Sequence, residues 1–583
     1  MRRGFQILFF IACSFILRAQ TADARLEAFY KKYLEEHFAL RPLDATQLGD
    51  HRFDHLLEDV SKASREKWRA HERERLRELK REVDYKKLSR SAQIDYEIFE
   101  HDLERGLWSA KNFKPFEEDP RTYGGYINDS IYALLTQSTL PKETNVANAI
   151  ARMGKILAVI KAAQGSLMRP PKQLTETAIR QNRGAISFYE KELFALVGES
   201  PRMEELKRAA APVVSALKDY QEFLEKTLLP RSDGEWRIGK RKFGKKLEMV
   251  LDAGMSAEEV LADAEREFVR VENEMYVVSR QLWSQYFPKQ AAPPDDADGR
   301  RHTITTVIEA VNKEHGEPDK LISDARTGVD RIKEFIRANN ILTLPEPDRC
   351  QVIEMPEFKR GNSIAYLENA PPLDAKAATL YAISPPPSDW PDARKQTFLE
   401  EYNQHMLQIL TIHEAYPGHF VQLEYANRNP SLIRRINGSG VYIEGWAVYT
   451  EQMMLDQGYG ERDLRLRLMQ LKFYLRAVGN AILDNKMHCA NMSDEEALDF
   501  LMRRVFQSEA EARLKVIRSK QSSTQLSTYF VGRMAHYRVR QQVERALGEK
   551  FDLAKYHEAV LNLGSVPVKY LPELVSEALG VTK

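Results

Sequence analysis

The sequence is poor in cysteine, in net charge and in long hydrophobic runs, and each shortage excludes a class of protein. Three cysteines in 583 residues cannot form a disulfide scaffold, and we expect Cys350 and Cys489 to be core residues. A formal net charge of +1 gives no argument for a nucleic acid or an anionic membrane as partner. After residue 24, no run is apolar and long enough to span a bilayer, so we expect no stable membrane insertion of the mature chain.

The N-terminus has the layout of a secretory signal peptide. Two arginines precede an apolar run over 7–17, and an Ala-Asp-Ala cleavage pattern ends at Ala24, with cleavage after Ala19 as the other option. Cys13 lies inside the apolar run, which makes it a poor lipoprotein signal. We predict a signal peptide over 1–24 and a periplasmic or extracellular protein. A membrane-anchoring or buried N-terminal helix is the alternative.

Helical spacing of apolar residues dominates the remaining chain, so the predicted fold class is mostly α. Two Ser-x-x-Glu capping boxes, at Ser256 and Ser493, mark the starts of helices. A polar stretch rich in proline and aspartate predicts an exposed loop over 288–302. This loop would divide the mature chain into an N-terminal helical region, 25–287, and a C-terminal region, 303–583.

One region breaks the helical pattern. Short β-like runs lie at Cys350–Met355, Ser363–Leu367 and Thr379–Ser384, and prolines and Gly361 punctuate them. We predict a small sheet at this point, just before the helix that carries the metal site. An exposed edge of that sheet could bind an extended peptide by strand addition.

The segment that follows contains a variant of a zinc-peptidase motif. H-E-x-x-H binds zinc because residues four apart share one helix face, and the glutamate beside the first histidine reaches the metal-bound water. Here His413 and His419 are six apart, and six residues turn a regular helix by about 600°. Pro417 removes a helix hydrogen bond and Gly418 accepts unusual dihedrals. We predict a two-residue helix bulge that returns His419 to the position of the second ligand.

A catalytic zinc site has three protein ligands and an open position for water. Glu444 follows His419 after room for a turn at 437–440 and a returning helix, and we predict that it is the third ligand. Glu451 is seven residues further along, on the same helix face, and could support a ligand histidine. Glu414 is then the general base and Zn²⁺ the cofactor.

These motifs resemble a bacterial family, the domain-of-unknown-function 885 family. H-E-A-Y-P-G-H-F-V-Q begins at His413 and E-G-W-A-V-Y-T-E begins at Glu444. The family commonly has Trp-Pro-Gly where this chain has Ser522-Ser523-Thr524. The resemblance covers nearly the whole mature chain, through the segments Pro42-Leu-Asp-Ala-Thr-Gln-Leu-Gly49-Asp-His, Asp484-x-x-x-His488 and Gln525-x-x-x-Tyr529-x-x-Gly532.

The family is similar in layout to helical zinc metallopeptidases such as angiotensin-converting enzyme, thimet oligopeptidase and the thermostable carboxypeptidases. The resemblance implies a large helical fold with a deep central groove. By analogy with that clan, Tyr529 donates to the tetrahedral oxyanion, or else it is a packed aromatic. His488 binds substrate or pairs with Asp484, and Gln525 supports substrate or the site. Arg540 meets either a substrate carboxylate or an ordinary ion-pair partner.

The predicted function is zinc-dependent hydrolysis of peptides or small unfolded substrates by an exported protein. Zinc lowers the pKa of its water toward about 7 and polarises the scissile carbonyl, and Glu414 passes the water proton to the leaving amine. Two alternatives remain: a non-catalytic metal-containing peptide-binding protein with the same groove, and a helical scaffold without metal. Glu414 argues against the first alternative, because a metal-binding scaffold needs no base.

Overall fold

The structure is a computed structural model that describes residues 2–355, 365–374, 376–386 and 390–581, with side chains from residue 21 onward. These residues are mostly helical and include one small sheet, which confirms the predicted fold class. The chain forms two compact units. The first comprises Met1–Glu235, Pro371–Ala377 and Asn429–Asn437, and the second comprises Trp236–Ala370, Ala378–Arg428 and Gly438–Lys583.

The helices are named in chain order. The first eleven belong to the first unit: α1 (Arg2–Leu40), α2 (Pro42–Leu48), α3 (Lys62–Glu82), α4 (Arg90–Asn112), α5 (Pro115–Glu118), α6 (Thr122–Gly124), α7 (Ser130–Thr136), α8 (Lys142–Ser166), α9 (Lys172–Ser187), α10 (Leu193–Val197) and α11 (Met203–Glu222). Those that follow belong to the second unit, except α19: α12 (Gly239–Leu251), α13 (Ala257–Tyr286), α14 (Ala297–Asn312), α15 (Leu321–Ala338), α16 (Asp392–Glu401), α17 (Gln404–Glu414), α18 (His419–Asn427), α19 (Leu432–Ile436), α20 (Gly440–Asp456), α21 (Leu464–Cys489), α22 (Asp494–Arg503), α23 (Glu509–Gln521), α24 (Thr528–Leu547), α25 (Leu553–Leu561) and α26 (Leu571–Ala578).

In the first unit, the segment that begins at Pro42 ends in a buried polar network. The two ring nitrogens of His51 lie 2.8 Å from a carboxylate oxygen of Asp54 and 2.9 Å from one of Asp374. The hydroxyl of Thr139 donates to the same Asp374 oxygen at 2.7 Å. The hydrogen bond to Asp54 comes first among the causes that raise the pKa of His51 to about 9, so the imidazole is cationic at neutral pH. The network fixes the short segment Pro371–Ala377 within this unit.

The sheet of the second unit lies immediately before the helices of the site. Its strands are β1 (Cys350–Glu354), β2 (Ala365–Glu368) and β3 (Thr379–Ile383), in the order β1-β3-β2. β3 pairs in parallel with β1 and antiparallel with β2, and all five of its residues are buried. The predicted small sheet is therefore confirmed within the residues described, and β2 lies at its edge against α17.

Three expectations need correction. The segment 288–302 is not one loop, because Asp296 caps α14 by accepting a hydrogen bond from the Gly299 amide at 2.8 Å, and the helix begins at Ala297. The boundary between the units lies after Glu235 rather than in that loop. The two remaining cysteines are half-buried and unpaired rather than core residues. By contrast, both capping boxes form as predicted.

The predicted signal peptide belongs to α1, and the side chains of residues 1–20, which include its arginines and its apolar run, lie outside the described part of the chain. Among the residues described, no helix combines the length and the apolarity that a membrane crossing requires.

Candidate metal centre

The two histidines come from consecutive helices that meet at a break. α17 ends with Glu414 and α18 begins with His419, and the Tyr416–Pro417 peptide between them is cis. A Cβ atom at Gly418 would lie 1.9 Å from the carbonyl oxygen of His413, so only glycine fits the turn. The two imidazole rings lie 4.7 Å apart, centroid to centroid. The predicted bulge within one helix is therefore wrong, since the chain ends one helix and starts another, but both histidines do meet.

Glu444 on α20 completes the group. Its Oε2 atom lies 3.7 Å from Nε2 of His413 and 3.5 Å from Nε2 of His419, and one ligand atom from each residue falls within 4.8 Å of the others. Zinc–ligand bonds of about 2.0–2.1 Å place tetrahedral ligand atoms about 3.3 Å apart. Oε2 of Glu444 is buried with no hydrogen-bond partner among the described residues. Two nitrogens and one oxygen at these separations fit Zn²⁺.

Glu451 lies behind His413. Its Oε1 atom is 2.7 Å from Nδ1 of His413, and its side chain is fully buried. An ionised Glu451 accepts this hydrogen bond from Nδ1–H, which leaves Nε2 free to bind a metal. Burial raises the pKa of Glu451 well above its usual value, Arg533 opposes the rise, and Glu444 and Glu414 add to it. The contact orients the imidazole of a candidate ligand.

Glu414 has a raised pKa in the metal-free site. Burial raises its pKa to about 7, the neighbouring Glu444 adds to the rise, and His419 and the Leu367 amide oppose it. Its side chain lines a cavity of about 110 Å³ that it shares with His413. A carboxyl group with a pKa near 7 can both accept and release a proton at neutral pH.

The residues after Glu444 explain the E-G-W-A-V-Y-T-E motif. The indole N–H of Trp446 donates to the carbonyl oxygen of Pro417 at 2.8 Å and so fixes the break between the two histidines. The hydroxyl of Tyr449 lies 2.8 Å from a ring nitrogen of His557. Both aromatic side chains are fully buried. The motif thus holds α20 in place as well as supplying the candidate ligand Glu444.

α20 and α24 cross at two glycines. A Cβ atom at Gly532 would lie 1.9 Å from the carbonyl oxygen of Val441, and one at Gly445 would lie 2.3 Å from the carbonyl carbon of Gly532. Such distances are possible only where neither helix carries a side chain. The crossing brings Tyr529, one turn before Gly532, into the cavity that contains Glu414.

The hydroxyl of Tyr529 is held by two donors. It accepts hydrogen bonds from Nη2 of Arg518 at 3.1 Å and from the Gln525 side-chain amide at 3.2 Å. The Gln525 carbonyl oxygen accepts from the same guanidinium at 3.0 Å. The structure therefore places Gln525 beside Tyr529, where it aims the hydroxyl.

The Asp484-x-x-x-His488 segment holds the loop that precedes Tyr529. Asp484 accepts hydrogen bonds from the Thr524 amide and the Ser527 hydroxyl, both at 3.1 Å. A ring nitrogen of His488 lies 3.0 Å from the carbonyl oxygen of Ser519, at the end of α23, and 3.1 Å from that of Ser522. His488 is not among the residues that line the cavity, and its Nε2 atom lies 4.0 Å from a carboxylate oxygen of Asp484.

Arg540 also lies outside the cavity. Its Nε atom lies 2.7 Å from Glu544, four residues further along α24, and its Nη1 atom donates to the hydroxyl of Tyr449 at 3.2 Å. It is not among the residues that line the cavity. Of the two alternatives for Arg540, the structure shows the ion pair, with Glu544 one helical turn away.

Comparison with known proteins places the chain among uncharacterised relatives. A family model described as "Bacterial protein of unknown function (DUF885)" matches residues 42–575. The chain belongs to this family. A search of the curated proteins found no match.

Two solved structures are similar over almost their whole length. A protein of Shewanella oneidensis described as a "putative lipoprotein of unknown function" is 31% identical, with a TM-score of 0.77, and the match covers 94% of this chain and 98% of that one. A protein of Colwellia psychrerythraea described as a "putative lipoprotein" is 20% identical, with a TM-score of 0.77 and coverage of 96% and 100%.

In this family member, sequence reasoning missed the polar residues that complete the cavity. Arg476 and Asn480 reach it from α21, and Lys515 and Arg518 from α23. Each pair is three or four residues apart and so shares a helix face. Polar and charged residues on one face of a helix usually face solvent, so the sequence pattern did not indicate that these residues line a cavity.

Proposed function

We propose that this chain is an exported zinc-dependent peptidase that hydrolyses peptides or small unfolded substrates. The observation that carries the proposal is the buried, unpartnered carboxylate oxygen of Glu444 between His413 and His419. Glu451 orients one of these histidines, and Glu414 lies in the same cavity. The donor set favours Zn²⁺, and the open cavity favours a catalytic rather than a structural site.

The metal and the residues around its ligands would each have a separate role in hydrolysis. Zn²⁺, when bound, supplies a Lewis acid that lowers the pKa of water and polarises a carbonyl. Glu414 would accept the proton of the attacking water and pass it to the leaving amine, the role that a glutamate next to the first ligand histidine has in zinc peptidases. Tyr529, aimed by Arg518 and Gln525, donates a hydrogen bond to the developing oxyanion.

One further feature supports a peptide as the substrate. Two histidines and a later glutamate on helices are the layout of the helical zinc metallopeptidases that the sequence resembles. Ala365 of β2, the strand that packs against the helix carrying Glu414, also lines the cavity.

Export is part of the proposal. The predicted signal peptide and the description of both structural relatives as lipoproteins favour it. N-terminal mass spectrometry of protein from the native host should find a chain that starts near Gln20 or Arg25. A chain that starts at a lipidated Cys13 would overturn the cleavage site but not export. An intact Met1 on cytoplasmic protein would overturn export.

Metal analysis and peptide turnover test the function. Purified protein should contain about one zinc per chain, and His413→Ala and His419→Ala should each lose most of it. The wild type should shorten members of a mixed peptide library, read by mass spectrometry, and a chelator should stop this. Zinc-loaded protein that cleaves nothing would favour the peptide-binding alternative. Full zinc retention by both variants would refute the ligand set.

A further inference from the structure

A group of cations shares the cavity with the residues of the proposed reaction. Arg476 on α21 and Lys515 and Arg518 on α23 line it together with Glu414 and Tyr529. We propose that these cations form a subsite for a carboxylate group of the substrate, and that this group is the C-terminal carboxylate of a peptide. The inference rests on the proposed peptidase function and specifies its substrate class.

Lys515 gives the strongest support for an anionic ligand. It is only 4% exposed, yet it has no hydrogen bond or ion pair with any residue that the structure describes. Burial, reinforced by Arg476 and Arg518, holds the pKa of Lys515 well below its usual value, although the Glu511 carboxylate, which is not within salt-bridge distance, opposes the shift. Lys472 is also 4% exposed, but it donates to Glu401 at 3.0 Å. A buried lysine without such a partner destabilises the fold unless a ligand supplies the anion.

Arg518 carries a second charge without a salt bridge. Its guanidinium donates only to the neutral oxygens of Gln525 and Tyr529, and no carboxylate lies within salt-bridge distance of it in the described part of the chain. Arg476 is different, because its Nη2 atom lies 3.4 Å from a carboxylate oxygen of Glu511. Arg518 therefore supplies a fixed positive charge, and Lys515 adds a second one when a bound anion holds it protonated. The planar fork of an arginine suits a carboxylate.

Asn480 favours a peptide end over a free anion. It is 4% exposed, lines the same cavity, and its side-chain oxygen is buried without a hydrogen-bond partner among the described residues. A simple carboxylate offers this oxygen nothing, because both are acceptors. A C-terminal residue carries its carboxylate next to an amide N–H, which can donate to Asn480.

The position of the subsite sets the mode of cleavage. The cations and Glu414 line one cavity of about 110 Å³, so a carboxylate held there lies near the reacting bond. A volume of this size admits several water molecules or a small group, not a long chain. The peptidase thus acts at the C-terminal end of its substrate and releases a short C-terminal fragment.

Titration calorimetry of peptide binding tests the subsite. The protein is the full-length chain with the substitution Glu414→Gln, which prevents turnover. The probes are trialanine, trialanine amide, and Ala-Glu-Ala amide, which carries its carboxylate on a side chain. Trialanine should bind about tenfold more tightly than its amide, the range expected for a charge-assisted hydrogen bond. Ala-Glu-Ala amide should bind as weakly as trialanine amide. Equal binding of trialanine and its amide overturns the proposal. Tighter binding of Ala-Glu-Ala amide than of trialanine also overturns it, because the subsite would then bind a side-chain carboxylate rather than a C-terminal one.

Two matched lysine variants separate a binding role from a structural one. In the same background, Lys515→Met should abolish the preference for the free acid, and without ligand it should raise the melting temperature. Lys472→Met should keep the preference and lower the melting temperature, because it leaves Glu401 buried and unpaired. If Lys515→Met lowers the melting temperature as Lys472→Met does, or leaves the free-acid preference intact, the subsite is refuted.

The subsite and the peptidase function can fail separately. If the protein binds free-acid peptides more tightly than amides but holds no zinc and cleaves no peptide, the peptidase proposal is refuted and the carboxylate subsite is supported. If it cleaves free and amidated peptides at equal rates in a zinc-dependent way, the peptidase proposal is supported and the carboxylate subsite is refuted.

Discussion

Gly532→Ala should both destabilise the protein and damage the site, because it separates two helices that touch backbone to backbone. The added Cβ atom would lie 1.9 Å from the Val441 carbonyl oxygen, whereas ordinary contact begins at 3.4 Å, so the helices must move apart by about 1.5 Å. Overpacking of this kind costs about 1–3 kcal/mol, and we take about 3 kcal/mol because the neighbour here is backbone that cannot rotate away. The better helix propensity of alanine offsets roughly 1 kcal/mol. We expect a net loss of about 2 kcal/mol in the free energy of unfolding.

The same substitution at an open position is the control. Gly154 lies in the middle of α8, is exposed, and has no atom within 4 Å of its hypothetical Cβ. Gly154→Ala should stabilise the protein by about 0.4–1 kcal/mol. Urea titration followed by circular dichroism should therefore show midpoint shifts of opposite sign. Because Tyr529 moves with Gly532, kcat/KM should also fall by about 10²-fold, as a displacement of about 1 Å can cause. Wild-type stability and activity in Gly532→Ala would refute the close crossing.

Three further predictions concern the ligands, the loop and a buried histidine. Glu444→Gln should strip the metal, whereas Glu451→Gln should lower metal affinity by about 10–100-fold in chelator competition; the reverse order would exchange the two roles. Thr524 has φ of +71° where the resembled family has glycine, so Thr524→Gly should raise the free energy of unfolding by about 1 kcal/mol in urea titration, and an unchanged value would show that this φ carries no strain. Folding raises the pKa of His51 from about 6.5 to about 9. The ion pairs of its imidazolium therefore stabilise the folded protein fully below about pH 6.5, and this stabilisation is lost as the pH rises through about 9. The advantage over His51→Asn, about 1–2 kcal/mol at pH 6 after allowance for solvent screening, should therefore shrink by pH 9.5, and a constant difference would contradict the ion pairs.

The structural features that depend on neighbouring residues could be predicted from the sequence. Helical periodicity, the capping box at Ser493 and the three β-like runs each depend on neighbouring residues, and each predicted its element. Sequence spacing also picked out the residues that meet, because His413, His419 and Glu444 stand in motifs whose chemistry is specific. The expected bulge was wrong in form, since a Pro-Gly pair can end a helix as readily as distort one.

What sequence reasoning missed is non-local. Nothing in Pro371–Ala377 shows that it packs with the first unit, because its partner His51 is more than three hundred residues away. Arg540 and Arg518 also look alike in sequence, since both lie on charged helices. Only the fold shows that Arg540 faces Glu544 and that Arg518 faces a cavity. Charge patterns predict helices well but do not tell which charges will be buried.

The role of Glu414 is tested most directly by Glu414→Gln, assayed for zinc content, melting temperature and peptide hydrolysis in one preparation. Because Glu414 is the proposed base and not a ligand, the variant should keep its zinc and its stability and lose about 10²–10⁴-fold in rate. A variant that cleaves peptides as fast as the wild type would contradict the proposed chemistry, and one that loses its zinc would make Glu414 a ligand instead.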